Sequence, residues 1–272
     1  MFLTICRLFL YFILYSFTGW VCETVYCSAI ERRFVNRGFL TGPLCPVYGF
    51  GALAVINLLS SLTDNIPLLF LAGMAVTTLL EYITAYLLER LFHMKWWDYS
   101  NFKLNLHGRV CLLNSLEFGV LSVAAVKLLH PLVIRWVDML PPVAVVWIAC
   151  ILTAIIFADC TVTVHTISQF NGRLKQLTAL LEEIKDKTEG YKVLVQQRIA
   201  QKLEQLKEHE GERFTDATEA LERLKIRLDV LESKNRVLLR RLLAAFPHMT
   251  SVKHQPMLER VRLAIKKRKE KP

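Results

Sequence analysis

The chain has 272 residues, 53% of them hydrophobic, with a mean hydropathy of +0.34 and a net charge of +10. That is too apolar for an ordinary soluble domain, and it excludes a disordered chain, a collagen and a small disulfide-stapled secreted scaffold. The charge is uneven: residues 1–165 hold 10 Lys/Arg against 9 Asp/Glu, whereas residues 166–272 hold 24 against 15. All seven cysteines and all five tryptophans lie in the first part, where scattered, odd-numbered cysteines read as small buried hydrophobes rather than a disulfide framework.

Five apolar segments are expected to cross a bilayer, at about residues 8–30, 47–62, 67–91, 110–129 and 143–164, since a spanning helix needs roughly 20 residues. The first is read as a retained helix, because no cleavage pattern follows it. The second is the shortest. It opens on Gly42-Pro43-Leu44-Cys45-Pro46-Val47-Tyr48-Gly49, so a broken or re-entrant segment is expected there, of the kind tolerated at membrane depth only under a covering of protein or in a wet cavity.

Arg32, Arg33 and Arg37 follow the first segment, and Arg90, Lys95, Lys103 and Arg109 follow the third. Basic loops favour the cytoplasmic side, which puts the N-terminus outside and the C-terminus inside. Trp96, Trp97 and Tyr99 then fall at the inner interface and Trp136 near the outer one. The expected architecture is all-α: a polytopic bundle over 1–165, a cytoplasmic coiled-coil helical region over 166–246 and a basic tail over 247–272.

The coiled-coil expectation rests on Phe214, Ala217, Leu221, Leu224, Leu228, Leu231, Asn235, Leu238, Leu242 and Ala245, which step by 3 and 4 throughout. Asn235 takes an a position, where a lone Asn sets register in two-stranded coils. A homodimer or partner helix over 214–245 and a hairpin folding back across Gly211 both fit this pattern. The closing run Lys266-Lys267-Arg268-Lys269 reads first as a solubilising tail and next as a contact for anionic lipid, worth about 1 kcal/mol per basic residue near the surface. Nucleic acid is the least supported partner, for want of interleaved aromatics.

Carboxylates inside the apolar runs are the informative chemistry. Glu23, Glu81, Glu117 and Asp159 lie in or near spans, where a mid-bilayer charge costs on the order of 3 kcal/mol and needs a partner facing the bundle interior. Ser16, Gly19, Glu23 and Cys27 share one helical stripe; Thr77, Glu81 and Thr84 share another; Cys111, Asn114 and Glu117 a third. Convergence of Glu23, Glu81 and Glu117 is therefore expected, with Arg37 and Arg109 as counter-charges. A structural ion-pair network and a polar path for a solute or ion both remain open. No P-loop, H-E-x-x-H, paired C-x-x-C or G-x-S-x-G occurs, so neither ATP hydrolysis by this chain, a zinc site, a cofactor nor an enzyme is expected.

Several ordered motifs resemble one family. They are Ser16-Phe17-Thr18-Gly19-Trp20-Val21-Cys22-Glu23, then Phe34-Val35-Asn36-Arg37-Gly38-Phe39-Leu40-Thr41-Gly42-Pro43-Leu44-Cys45-Pro46-Val47-Tyr48-Gly49. Leu80-Glu81-Tyr82, Leu88-Glu89, Trp97-Asp98-Tyr99-Ser100, Asn105 and Gly108-Arg109-Val110-Cys111 follow. The run over about residues 10–165 resembles the CmpB-type bacterial membrane family known as Putative ABC-transporter type IV. The resemblance implies a permease-like protein that moves a small solute with a separate ATP-binding subunit. Phe118-Gly119 departs from the Trp expected in that pattern, and Glu117 has no match in it. Gly38, Gly42, Pro43 and Pro46 are expected to shape the irregular entry to the second span, and Asp98 to cap a turn. The competing reading is a non-transporting membrane scaffold or sensor that dimerises or recruits a partner through the coiled coil.

Overall fold

The computed structural model describes residues 1–202, 236–247 and 249–269. Two compact units emerge: Met1–Ile167 with Arg240–Val252, and Ser168–Leu239 with Lys253–Pro272.

In the first unit, α1 (Phe2–Glu31) is continuous and apolar and ends where Arg32 turns left-handed at φ 50°. Segment 32–45 is not helical, and α2 begins only at Pro46 and ends at Leu58. A proline suits a first helical turn, where its missing N–H costs nothing. α3 (Ile66–Phe92) starts on a capping bond from the Leu68 N–H to Asn65 Oδ1, 3.1 Å, and stops at left-handed His93. Strand β1 (Met94–Lys95) follows, then an antiparallel hairpin of β2 (Asn105–Leu106) and β3 (Val110–Cys111). α4 (Leu112–Ala124) passes through a π-helical turn at Ala125–Leu129 into α5 (His130–Asp138). Pro131 accounts for that turn, since it has no N–H for the carbonyl four residues back and its ring pushes that carbonyl aside. α6 (Pro142–Lys202) begins here, and its residues from Ser168 belong to the second unit.

Among the described residues, four helices are long and apolar enough to cross a membrane: Phe2–Glu31, Ile66–Phe92, Leu112–Asp138 and Pro142–Leu180. The expected fifth crossing, at 47–62, is instead a helix of 13 residues. At 1.5 Å per residue it is roughly 20 Å long, short of a hydrocarbon core of about 30 Å. Segment 32–45 runs antiparallel beside α1. The Val35 N–H donates to Ser28 Oγ (3.0 Å), the Arg37 N–H to Thr24 Oγ1 (3.3 Å) and the Cys45 N–H to the Ser16 carbonyl (3.0 Å). Two side-chain hydroxyls and a mid-helix carbonyl of α1 thus satisfy backbone that a bilayer could not. Small residues let α2 approach: a Cβ on Gly49 would strike Ser16 and Phe12, and one on Gly19 would enter the Tyr48 ring.

At the end of the bundle that holds Met1, Cys6, Leu10, Val137, Val145 and Ala149 form an apolar cluster, and Arg7 pairs with Asp138 at 2.9 Å. α6 therefore starts beside the start of α1. It reaches Asp159 beside Thr41 and Gly42, at the other end of α1. That second end carries the polar groups.

The fold is mostly helical, but the all-α expectation omits four two-residue strands. One of them, β4 (Thr250–Ser251), comes from the far end of the sequence and pairs with β1, Met94 opposite Ser251 and Lys95 opposite Thr250. It belongs to a return segment, Arg240–Val252, that includes the last turns of α7 (Arg236–Ala245). Leu242, Ala245, Phe246 and Met249 are buried there. Most of the expected seam over 214–245, Asn235 included, lies outside the described residues. In the second unit, Phe170, Leu174 and Leu177 of α6 are buried, as are Met257, Leu258 and Val261 of α8 (Gln255–Lys269). The Thr178 hydroxyl lies 3.0 Å from His254 Nδ1.

Candidate functional site

At the loop end of the first unit, α1, segment 32–45, α3, α4 and the β2–β3 hairpin direct polar side chains toward one another. Glu23 on α1 accepts a 2.6 Å hydrogen bond from the Tyr48 hydroxyl, and Arg37 Nε lies 3.4 Å from its second oxygen. Arg37 lies within the irregular segment and Tyr48 in the first turn of α2, so Glu23 is held by both. Asn36 braces that segment: it accepts from Trp20 Nε1 at 2.7 Å and donates to the Thr41 carbonyl at 3.1 Å. Asp159 completes the brace from α6, accepting the Thr41 N–H (2.9 Å) and the Gly42 N–H (2.7 Å). Its carboxylate is committed to loop backbone. Gly42 leaves room for it, since a Cβ there would come within 3.0 Å of Asp159 Oδ2. Pro43 is exposed and Pro46 opens α2.

Glu81 on α3 is 6% exposed. Asn114 on α4 and Tyr99 lie beside its carboxylate, and Glu23 is near enough to act on it electrostatically. Its Oε2 has no hydrogen-bond partner. Asn114 also donates to the Tyr99 hydroxyl. Burial, then the neighbouring Glu81, Cys111 and Glu23, push the Tyr99 phenol above its ordinary value, so it remains a neutral donor.

Arg109 forms a separate group. Its guanidinium grips Glu89 through Nε (3.1 Å) and Nη2 (2.8 Å), donates to the Tyr82 hydroxyl (3.0 Å) and lies 5.3 Å from both the Tyr82 and Tyr86 ring centroids. Planar, forked and aromatic-stacked contacts of this kind suit arginine specifically. Trp97 Nε1 donates to the Arg109 carbonyl at 2.9 Å. Arg37 and Arg109 are thus matched to Glu23 and Glu89, and Glu81 has neither.

The hairpin turn is held by side chains. Asn105 Oδ1 accepts the Gly108 N–H at 2.9 Å, and Gly108 sits at φ 68°, with Asp98 and Ser100 filling the space a Cβ would need. Asp98 accepts the Ser100 N–H at 3.0 Å and the Ser100 hydroxyl, and lies 3.8 Å from Lys95 Nζ. Burial pushes its carboxyl up, but these donors prevail and hold it below its ordinary value. Glu117 stands apart: it is exposed on α4. Among the described residues no group of three or more His, Cys, Asp or Glu side chains is placed to hold a metal ion.

The return segment contributes residues that the motif reading omits. Arg241 donates to the carbonyls of Gly38 (3.1 Å) and Leu40, and Arg37 donates to the Ala245 carbonyl. Phe246 packs edge-on against Trp96 at 4.9 Å and lies 4.8 Å under the Arg37 guanidinium. The only sequence signal for this is a pair of arginines inside a leucine-rich seam, followed by Phe246-Pro247.

A family model described as Putative ABC-transporter type IV matches residues 10–164. No curated protein and no solved structure matches the chain.

Proposed function

The chain belongs to the Putative ABC-transporter type IV family, and from that premise we propose that it is a permease-like component that handles a small polar solute with a separate ATP-binding subunit. The observation that carries this reading is the Glu23–Tyr48–Arg37 group beside Glu81, Tyr99 and Asn114 in a bundle whose four long helices suit a membrane. Ionisable groups at that depth are costly and mark sites as often as scaffolds. An enzymatic role has no support from this arrangement.

The basic residues at the loop end favour that end as cytoplasmic, with Met1 outside and the second unit inside, in a bacterial cytoplasmic membrane. Segment 32–45 together with α2 then makes a fifth, partly irregular crossing.

A second reading is a membrane scaffold or sensor. One observation favours it: the return segment ties the chain's C-terminal portion to Arg37, which gives a cytoplasmic partner at 214–245 a mechanical route to the polar group.

The experiment is purification of the full chain from its native membrane in mild detergent, with the mass of the complex and of co-eluting subunits. An ATP-binding subunit at fixed stoichiometry, with ATPase activity lowered by Glu23→Gln, supports transport. A homodimer without ATPase, or a cytoplasmic partner that leaves when residues 168–272 are removed, supports the scaffold.

A further inference from the structure

We propose that Glu81 is a proton-binding site of the bundle, holding a proton at neutral pH on the carboxyl oxygen that no donor reaches. The inference goes beyond the transport reading and does not depend on it.

Charge accounting carries the assignment. Two acids, Glu23 and Glu81, lie close enough to interact, and one guanidinium, that of Arg37, is beside Glu23 at 3.4 Å. The guanidinium of Arg109 is engaged by Glu89 at 2.8 Å and by Tyr82. The return segment's Arg241 turns to the Gly38 and Leu40 carbonyls and acts on Asp159 and Cys45. From α4, Glu81 meets Asn114, which is neutral, while Glu117 is exposed. From segment 97–99 it meets Tyr99, a phenol, and from α1 it meets the like charge of Glu23. The Tyr48 hydroxyl of α2 is spent on Glu23. Among the described residues, no cation is paired with Glu81.

A buried carboxylate without a counter-charge takes a proton rather than remain ionised. The neighbours Asn114 and Tyr99 are neutral, and Oε2 is buried and has no hydrogen-bond partner. A protonated acid carries its hydrogen on such an oxygen. The described residues around it do not form a metal-ligand set, so the proton is the occupant that the chemistry favours. A proton there also removes the repulsion between Glu81 and Glu23, which links the state of the Glu23–Arg37 pair to pH.

The test is infrared difference spectroscopy of the full chain in detergent or lipid nanodiscs. At pH 7 the wild type is expected to show the carbonyl stretch of a protonated carboxylic acid, shifted in heavy water and lost on alkaline titration. Glu81→Gln should abolish the band and Glu117→Gln should leave it. A wild-type spectrum with no such band at pH 7, or a band that survives Glu81→Gln, overturns the proposal. If Glu81→Gln does not fold, Tyr99→Phe decides. Loss of the neighbouring hydroxyl should move the band's frequency, and an unmoved band overturns the assignment.

Discussion

Arg37 and Ala245 are 208 residues apart in sequence, and the guanidinium of the first donates to the carbonyl of the second. The same guanidinium is 3.4 Å from Glu23 and 4.8 Å from the Phe246 ring. One side chain therefore joins an acid of α1 to a segment late in the sequence. Any movement of the return segment removes one of the groups that hold Arg37 against Glu23.

Arg37→Ala should destabilise the first unit by about 2 kcal/mol, below the range for fully buried pairs because both partners keep some exposure. Thermal unfolding in detergent reads this. Arg37→Lys should restore only part of it, since an ammonium cannot serve the acid, the carbonyl and the ring face together. Equal stability of the alanine variant and the wild type would refute the role given to Arg37.

Phe246→Ala should cost about 3 kcal/mol locally, by losing the Trp96 edge contact and the Arg37 face. The loss belongs to the return segment. Limited proteolysis should therefore cut between residues 240 and 252 much faster than in the wild type, while the helices of the bundle stay protected.

Gly49→Ala should force α2 away from α1, because the new methyl meets Ser16 and the Phe12 ring. Overpacking of this kind costs about 2 kcal/mol. Gly51→Ala is the matched control, with nothing near its Cβ position, and should unfold at the wild-type temperature.

Asp98 gives an acid-limb prediction. Its folded carboxyl titrates below its ordinary 3.8, so it contributes stability that is fully present above that value and is lost as pH falls through the folded one. Asp98→Asn should lower stability at neutral pH and flatten the acid limb of the unfolding profile. An unchanged acid midpoint would mean that Ser100 and Lys95 do not favour the ionised form.

The apolar runs are legible because hydrocarbon thickness sets a helix length whatever the helix later touches. The 47–62 run shows the limit of that rule. Pro46 and the glycines before it mark where a helix must begin, but only the hydrogen bonds to Ser28, Thr24 and Ser16 show that the chain before it lies along α1. Spacing on one helix placed Glu81 on a stripe with Thr77, and Asn114 on a stripe with Glu117. It could not say how each helix is turned about its own axis, and in the fold Asn114 faces Glu81 while Glu117 is exposed.

Composition and periodicity alone establish a membrane-suited helical chain with costly acids in its apolar runs and basic residues in the loops after the first and third. They do so because those properties are local, written within one or two helical turns. Which arginine meets which acid, and that Arg240–Val252 returns to the first unit, was decided only by tertiary packing. Those contacts join residues up to 208 positions apart, and a heptad seam carries no mark of the partner that its last turns will find.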